Sequence, residues 1–377
     1  MLFKKIFLIS NYTPDGGVNS MFKEAYDFFK KKNSKLIIYF FIKNDQKFNK
    51  KKYEFIKNHD IRLFKVNSNI EAYKFIRKLN IYDFNSKNDL IFTISGTILM
   101  NLILRNYFNT NIYCWVATSY LDEKKSIIIN KNIFKKIFFK FFEIPICIEF
   151  EKYLIKKLKD KILSLSSYTF NNFNSITNQK KNILNCPVNI KIKHKKKIPL
   201  KNEFNIFFSG RLNDPRKNLK LFLQVTNSFN LPKYHNIFFY LIGGELNNEL
   251  KYYVKKNKLI NLKIIKYLDK ESLYKLYPKM NLFLLTSLQE GLCISAIEAT
   301  YFGIPIISTK CGGISDVLLN NYNGNFVNFD FKDIHNKIRS LVNDKKKYDT
   351  FRKNSKEVYN NFDFKIFSKK LECIINK

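Results

Sequence analysis

Three observations predict an α/β protein made of two parallel-sheet domains. Short apolar runs of strand length recur along the chain, and longer segments with helical spacing separate them. A lysine-rich stretch near residue 190 interrupts that alternation once. Strands alternating with helices imply parallel sheets covered on both faces. A chain of 377 residues is too long for one small core and suits two domains.

The first set of expected strands is Lys5–Ser10, Lys35–Phe41, Asp89–Ile94, Ile112–Val116 and Ile162–Leu165. The second set is Asn205–Ser209, Ile237–Ile242, Leu262–Ile265, Leu282–Thr286 and Ile304–Ser308. Helical spacing marks Val18–Lys30, Glu71–Leu79, Leu219–Phe229 and Ile294–Phe302. Lys191–Glu203, with Lys191, Lys193, Lys195–Lys197 and Pro199, reads as a solvated linker. The expected organisation is therefore a domain over 1–190, a linker over 191–203 and a second domain over 204–360. A last helix, Phe364–Ile375 within 361–377, is expected to pack back onto the first domain.

Composition sets the class. Apolar residues make up 45% and charged residues 26%, which excludes a disordered or fibrous chain. The net charge of +36 is the outlier, and all but seven of the 67 cationic residues are Lys. The same sequence is crowded with Phe, Ile, Asn and Tyr, so much of this charge reflects a compositional drift. A field of this sign still attracts anions such as nucleotides, nucleic acid or acidic lipid headgroups. Six cysteines stand singly with no C-x-x-C pair, which argues against a zinc site and a secreted disulfide framework. A reducing cytoplasm is the expected compartment. The start reads as a first strand and not a signal peptide. Leu90–Leu104 is charge-free but broken by Thr, Ser, Gly and Asn, so no membrane span is expected.

The chemistry concentrates in the second domain. Glu290-Gly-Leu-Cys-Ile-Ser-Ala-Ile-Glu298 follows a predicted strand, and Gly303, Pro305 and Gly312-Gly313 come after it. Glu290 and Gly291 fall in a strand-to-helix turn, and a helix starting near Leu292 aims its free N–H groups at that loop. Glu298 lies about 10–12 Å of axial rise further on. Two carboxylates so spaced can each hold a pair of vicinal hydroxyls on one elongated ligand, against the plain alternative of two surface glutamates. Phe208-Ser-Gly210-Arg211-Leu-Asn-Asp-Pro-Arg216-Lys217-Asn218 places two of the seven arginines after another strand. Arg offers a planar fork to phosphate oxygens and Lys a point charge. A third element, Pro14-Asp15-Gly16-Gly17-Val18, brings backbone N–H groups close to a phosphate or sugar, or is simply a tight turn.

These motifs resemble the retaining GT-B glycosyltransferases of family 4, whose hallmark is E-x7-E followed by G-x-P and GG. The resemblance is strong from about 204 to 328 and diffuse in the first domain. It implies two Rossmann-like domains facing across a cleft, the first on the acceptor side and the second holding a nucleotide-sugar donor. By the resemblance, Arg211 and Lys217 grip the diphosphate, Glu290 touches the transferring sugar and Glu298 holds the ribose. Gly16, Gly17, Gly210, Gly291, Leu292, Cys293 and Ile294 complete the implied donor site. Family members often carry a His near the reacting sugar after the fourth or fifth strand. Here Cys114–Glu123 contains none, and Thr118 and Asp122 are the polar candidates on the acceptor side. Asp316 stands where the family commonly shows Glu.

No D-x-D triplet occurs, so no metal or other cofactor is expected, and the cationic clamp would meet charge on the leaving group instead. The expectation is a glycosyltransferase with a glycan or lipid-linked acceptor, in cytoplasmic synthesis of a cell-surface polysaccharide or glycolipid. A basic nucleic-acid-binding protein and a sugar-nucleotide epimerase are the alternatives. The first lacks any recognised nucleic-acid motif and has diffuse charge, so no nucleic-acid partner is expected.

One segment stands apart. In Asn132–Phe142, Phe134, Ile137, Phe138 and Phe141 share one helical face, with Lys135, Lys136 and Lys140 off it. Ordinary amphipathicity favours an aromatic core stripe with a solvated basic back. The alternative is a basic helix lying on an anionic membrane at the inner face of the cell membrane.

Overall fold

A computed structural model describes residues 3–13, 16–32, 34–44, 46–66, 78–128, 133–178, 180, 182–190 and 203–376. The chain divides into two compact units, Met1–Pro187 with Phe364–Lys377, and Val188–Asp363.

Unit 1 contains β1 (Lys5–Asn11), β2 (Lys35–Lys43), β3 (Asp60–Val66), β4 (Asp89–Ser95), β5 (Ile112–Val116) and β6 (Ile162–Ser164). They form a parallel sheet in the order β3-β2-β1-β4-β5-β6. Central β1 pairs on both sides, with Ile6 opposite Leu36 and Leu90. Near-continuous burial along β1, β2 and β4 explains their unbroken apolar runs, since both faces are covered. The helices here are α1 (Gly17–Phe29), α2 (Tyr120–Ile128), α3 (Ile133–Phe138), α4 (Ile144–Leu158) and α5 (Ser167–Asn174). A π-helical turn, Phe139–Glu143, joins α3 to α4.

Unit 2 contains β7 (Phe204–Ser209), β8 (Ile237–Ile242), β9 (Leu262–Ile265), β10 (Leu282–Leu285), β11 (Ile306–Thr309) and β12 (Gly324–Val327). Their order is β12-β11-β10-β7-β8-β9, again parallel. Its helices are α6 (Leu219–Ser228), α7 (Asn248–Lys256), α8 (Lys270–Leu276), α9 (Ile294–Tyr301), α10 (Phe331–Asn343) and α11 (Lys345–Tyr359). The final helix, α12 (Phe364–Ile375), belongs to unit 1. Its Phe367 ring lies 5.3 Å from Trp115 and 6.3 Å from Phe28, and its Glu372 pairs with Lys32 at 2.6 Å.

All ten expected strands are present within two residues at either end. Two strands were not expected, β3 and β12, and both are edge strands. β3 carries Asp60, Arg62 and Lys65, and β12 is four residues beginning at Gly324, so neither has the apolar run of a central strand. Most of the expected linker (191–202), most of the Glu71–Leu79 helix (71–77) and Pro14-Asp15 lie outside the described residues.

The aromatic stripe corrects an expectation. Phe134, Ile137, Phe138 and Phe141 are exposed and form no part of the core. In α4, by contrast, Cys147, Leu154, Ile155 and Leu158 are buried in the core under the sheet. Among the described residues, no helix is long and apolar enough to cross a membrane.

Candidate functional site

In unit 2 the chain passes from β7 outward to β9, then returns to β10 on the other side of β7. Loops following the carboxyl ends of β7 and β10 therefore meet at the point where strand order reverses, which is where open parallel sheets bind ligands. The sequence motifs lie on these two loops. They are clasped together: Leu288 N–H donates to the Arg216 carbonyl at 2.7 Å, and Thr286 Oγ1 donates to the Lys217 carbonyl at 3.1 Å.

The β7 loop turns tightly. Gly210 N–H donates to the Ile242 carbonyl at 2.9 Å. Gly243, at φ +121°, leaves no room for a side chain, because a Cβ would sit 2.2 Å from the Gly210 oxygen. Asp214 organises the cations beyond it. Its carboxylate accepts from Arg216 Nη2 at 2.7 Å and from Arg211 Nη2 at 2.9 Å, and Oδ1 accepts the Arg216 backbone N–H. Burial would raise the Asp214 carboxyl, but Arg216, Lys217 and Arg211 outweigh it and hold the group down at about 2.

Lys217 reaches the other loop. Its Nζ donates to Glu290 Oε1 at 2.6 Å, with both side chains largely buried. Ser287 Oγ donates to the same oxygen at 2.7 Å. Burial alone would lower the Lys217 ammonium; Glu290, with Cys293 and Asp214, reverses that and holds the cation charged. Glu290 is fixed at its backbone too, its N–H donating to the Cys311 carbonyl and its own carbonyl accepting from Gly313. The expected Gly312-Gly313 pair thus braces the Glu290 loop.

Helix α9 begins at Ile294, where the helical spacing placed its start. Cys293 takes the left-handed conformation (φ +67°) at its start, and no side chain caps the helix. Gly291 forms the turn, Leu292 and Cys293 are buried, and burial pushes the Cys293 thiol up to about 12. A thiol so protonated is no nucleophile at neutral pH.

Glu298 sits on α9 itself, about one turn in from its start, and is almost fully buried. Oε2 accepts from Tyr277 OH at 3.0 Å, while Oε1 accepts from Tyr274 OH at 3.0 Å and pairs with Lys270 Nζ. Lys270, Tyr274 and Tyr277 were missed in the sequence. Their i, i+4, i+7 spacing around α8 was the available signal, but no motif marked it. Asp214 and Ser287 were missed as site groups as well.

Unit 1 carries its own candidates. β1 and β4 flank the reversal of strand order there. Gly16, at φ +103°, and Gly17 open α1 just after β1, and a Cβ on Gly17 would meet nothing within 4 Å. The space beside Gly17 is open, so packing within unit 1 does not require a glycine there. After β5, Thr118 N–H donates to the Gly96 carbonyl at 2.9 Å. Asp122 lies in the first turn of α2, taking Ser119 Oγ at 2.8 Å and Asn172 Nδ2. Both are held by hydrogen bonds within unit 1. The neighbouring Glu151 accepts the Tyr120 N–H at 2.8 Å, and burial raises its carboxyl to about 7.

Residues 189–358, nearly all of unit 2, match the family described as Glycosyl transferases group 1. An uncharacterized glycosyltransferase of Methanocaldococcus jannaschii is 26% identical over 59% of this chain and 54% of its own length. A Campylobacter jejuni GalNAc-alpha-(1->4)-GalNAc-alpha-(1->3)-diNAcBac-PP-undecaprenol alpha-1,4-N-acetyl-D-galactosaminyltransferase is 31% identical over 41% of each chain. The chain spans about half or less of the length of the curated relatives it matches. Among solved structures, Anabaena HepE in complex with UDP superimposes over 99% of both chains with a TM-score of 0.73 at 14% identity. That likeness establishes the GT-B fold. Unit 2 thus matches the glycosyl transferases of group 1, and the chain as a whole shares the GT-B fold.

Proposed function

We propose that the protein transfers a sugar from a nucleotide-sugar donor to a glycan or lipid-linked acceptor with retention of anomeric configuration, in cell-surface polysaccharide or glycolipid synthesis. The observation that carries this reading is the buried Lys217–Glu290 pair at 2.6 Å, joining the two motif loops where strand order reverses. A cation held charged there, with Arg211 and Arg216 gathered on Asp214 beside it, suits a leaving diphosphate. Glu290 would touch the transferring sugar, and Glu298 would take the ribose hydroxyls through Oε1. Thr118 and Asp122 remain the proposed acceptor-side residues, with Gly16 and Gly17 facing the donor.

The donor class draws support from HepE, whose structure holds UDP. A lipid-linked acceptor draws support from the undecaprenol-linked substrate in the Campylobacter relative's name, and cell-surface synthesis from the 35% identical Staphylococcus aureus capsular polysaccharide glycosyltransferase CapM. The work would take place in the cytoplasm, peripherally at the inner face of the cell membrane. No metal takes part in this reading, in which Arg211 and Lys217 would meet the charge of the leaving diphosphate instead. The nucleic-acid and epimerase alternatives are not favoured beside the family match.

Purified protein screened against nucleotide sugars, by thermal shift and nucleotide release, is the test. One nucleotide sugar should stabilise the fold and release its nucleotide on adding acceptor, with turnover nearly unchanged in saturating EDTA. No stabilisation by any donor would sink the reading, and activity lost in EDTA and regained with Mg²⁺ would sink its metal-free part.

A further inference from the structure

The segment from α3 into α4 is one continuous helical rod with two unlike ends. Its C-terminal half is buried through Cys147, Leu154, Ile155 and Leu158. Its N-terminal half exposes Ile133, Phe134, Ile137, Phe138, Phe141 and Phe142, with Phe134 81% and Phe141 63% exposed. Large apolar side chains this dense on a surface mark an interaction site. The π turn at Phe139–Glu143 adds about one residue to the helical register, so the apolar faces of the two halves are rotated apart. The first half can thus turn its aromatics outward while the second stays anchored. The Phe138 and Phe142 rings stack at 5.9 Å across this turn.

We propose that the face from Ile133 to Phe142 docks unit 1 on the surface of an anionic lipid bilayer. Charge selects this occupant. No Asp or Glu lies between Ile133 and Phe142, whereas Lys136 and Lys140 are exposed beside the rings. Lys140 Nζ lies 5.7 Å from the Phe141 ring centre. The nearest carboxylate in sequence, Glu143, is engaged by Tyr120 OH at 2.8 Å and by Lys124. A second copy placed on this face would bring cation against cation on a chain of +36. Headgroup phosphates would instead meet the ammonium groups while the rings enter the acyl boundary. This deepens the membrane-side reading above and rests on it only for the reason such docking is useful.

The test is co-sedimentation of the full chain, without donor or acceptor, with vesicles of phosphatidylcholine containing 30% phosphatidylglycerol. Wild type should bind these vesicles, bind pure phosphatidylcholine at least tenfold more weakly, and lose affinity with salt. Phe134→Ser with Phe138→Ser and Phe141→Ser should cut binding at least tenfold, and Lys136→Glu with Lys140→Glu at least fivefold. Lys345→Glu with Lys346→Glu, an equal charge change in unit 2, should cost less than twofold. Trp115 is the sole tryptophan and is buried in unit 1, so its thermal melt checks that each variant is folded. Equal losses from the two lysine pairs would overturn the proposal in favour of bulk charge. Undiminished binding of the Phe variant would overturn it as well, as would a wild-type dimer that the Phe variant dissolves without changing lipid binding. Because no donor is present, a protein inactive towards every sugar nucleotide can still pass this test.

Discussion

Units 1 and 2 run their strands in the same order, with the reversal falling between the first and fourth strand of each. The groups at and beside that reversal differ in charge. Unit 2 surrounds the buried Asp214 with Arg211, Arg216 and Lys217, and its carboxyl falls to about 2. Unit 1 buries Glu151 against a backbone N–H with Asp122 and Glu123 nearby, and its carboxyl rises to about 7. Topology decides where loops converge; the side chains on them decide which charge the site welcomes. Unit 2 gathers cations that suit an anion, whereas unit 1 sets glycine backbone beside the carboxyls of Asp122, Glu123 and Glu151.

The largest expected effect comes from breaking the Lys217–Glu290 pair. Lys217→Ala leaves a buried carboxylate without its cation, which should cost unit 2 about 3–5 kcal/mol. Turnover should fall about 10²–10³-fold. Lys217→Met combined with Glu290→Gln should restore most of the stability and none of the activity. Hydrogen exchange over β7 and β10 reads the first outcome and nucleotide release the second. A Lys217→Ala protein as stable as wild type would mean that the pair is not desolvated as described.

Next is the acid of unit 1. A carboxyl raised in the folded state stabilises below its unfolded value near 4.5, and that stability is lost as pH rises through about 7. Unit 1 should therefore weaken by about 3 kcal/mol between pH 4.5 and 8. Glu151→Gln keeps an oxygen for the Tyr120 N–H and should remove that slope, leaving the variant more stable than wild type at pH 8. Trp115 fluorescence in denaturant follows unit 1, and parallel pH profiles for the two proteins would contradict the assignment.

Unit 2 should show the opposite sign. Asp214 is depressed, so its contribution is present above about 3.8 and is lost as pH falls towards 2. The expected loss is about 2 kcal/mol, and Asp214→Asn should flatten that acid limb. Hydrogen exchange over 204–218 between pH 5 and pH 2.5 measures it. An acid limb equally steep in the variant would place the titration elsewhere.

Much of this comparison was legible in the sequence. Central strands buried on both faces announce themselves as apolar runs, and β1, β2, β4, β7, β8 and β10 did so. Edge strands β3 and β12 pair on one side only and tolerate charge or glycine, so their signal is weak. Glu290, Glu298, Arg211 and Lys217 were found because their spacing relative to Gly and Pro is distinctive. What surrounds them was less legible: Lys270 and Tyr277 reach Glu298 through tertiary contacts that sequence distance conceals, whereas Asp214 and Ser287 bond within three residues of Arg211, Arg216 and Glu290 and carry no distinguishing spacing. The Phe134–Phe141 stripe shows the same limit in reverse. Periodicity identified the face, but burial against a neighbour is not a property of one helix, and here no core covers it.

The smallest effect separates the two oxygens of Glu298. Tyr277 holds Oε2 in the interior, whereas Oε1 is shared by Tyr274 and a lysine whose side chain is 56% exposed. An exposed partner contributes little, so Lys270→Ala should change unit 2 stability by less than about 1 kcal/mol. If ribose hydroxyls take Oε1, the Lys270 ammonium competes with them, and its removal should raise nucleotide affinity about two- to fivefold. Glu298→Ala removes the acceptor itself and should raise KM more than it lowers kcat, whereas Glu290→Ala should mainly lower kcat. Calorimetry with the identified nucleotide sugar and steady-state kinetics read these together. Nucleotide affinity weakened by Lys270→Ala would make Lys270 a ligand of the donor and not its competitor. Identical kinetic profiles for the Glu290→Ala and Glu298→Ala proteins would show that the two carboxylates do not divide the donor between them.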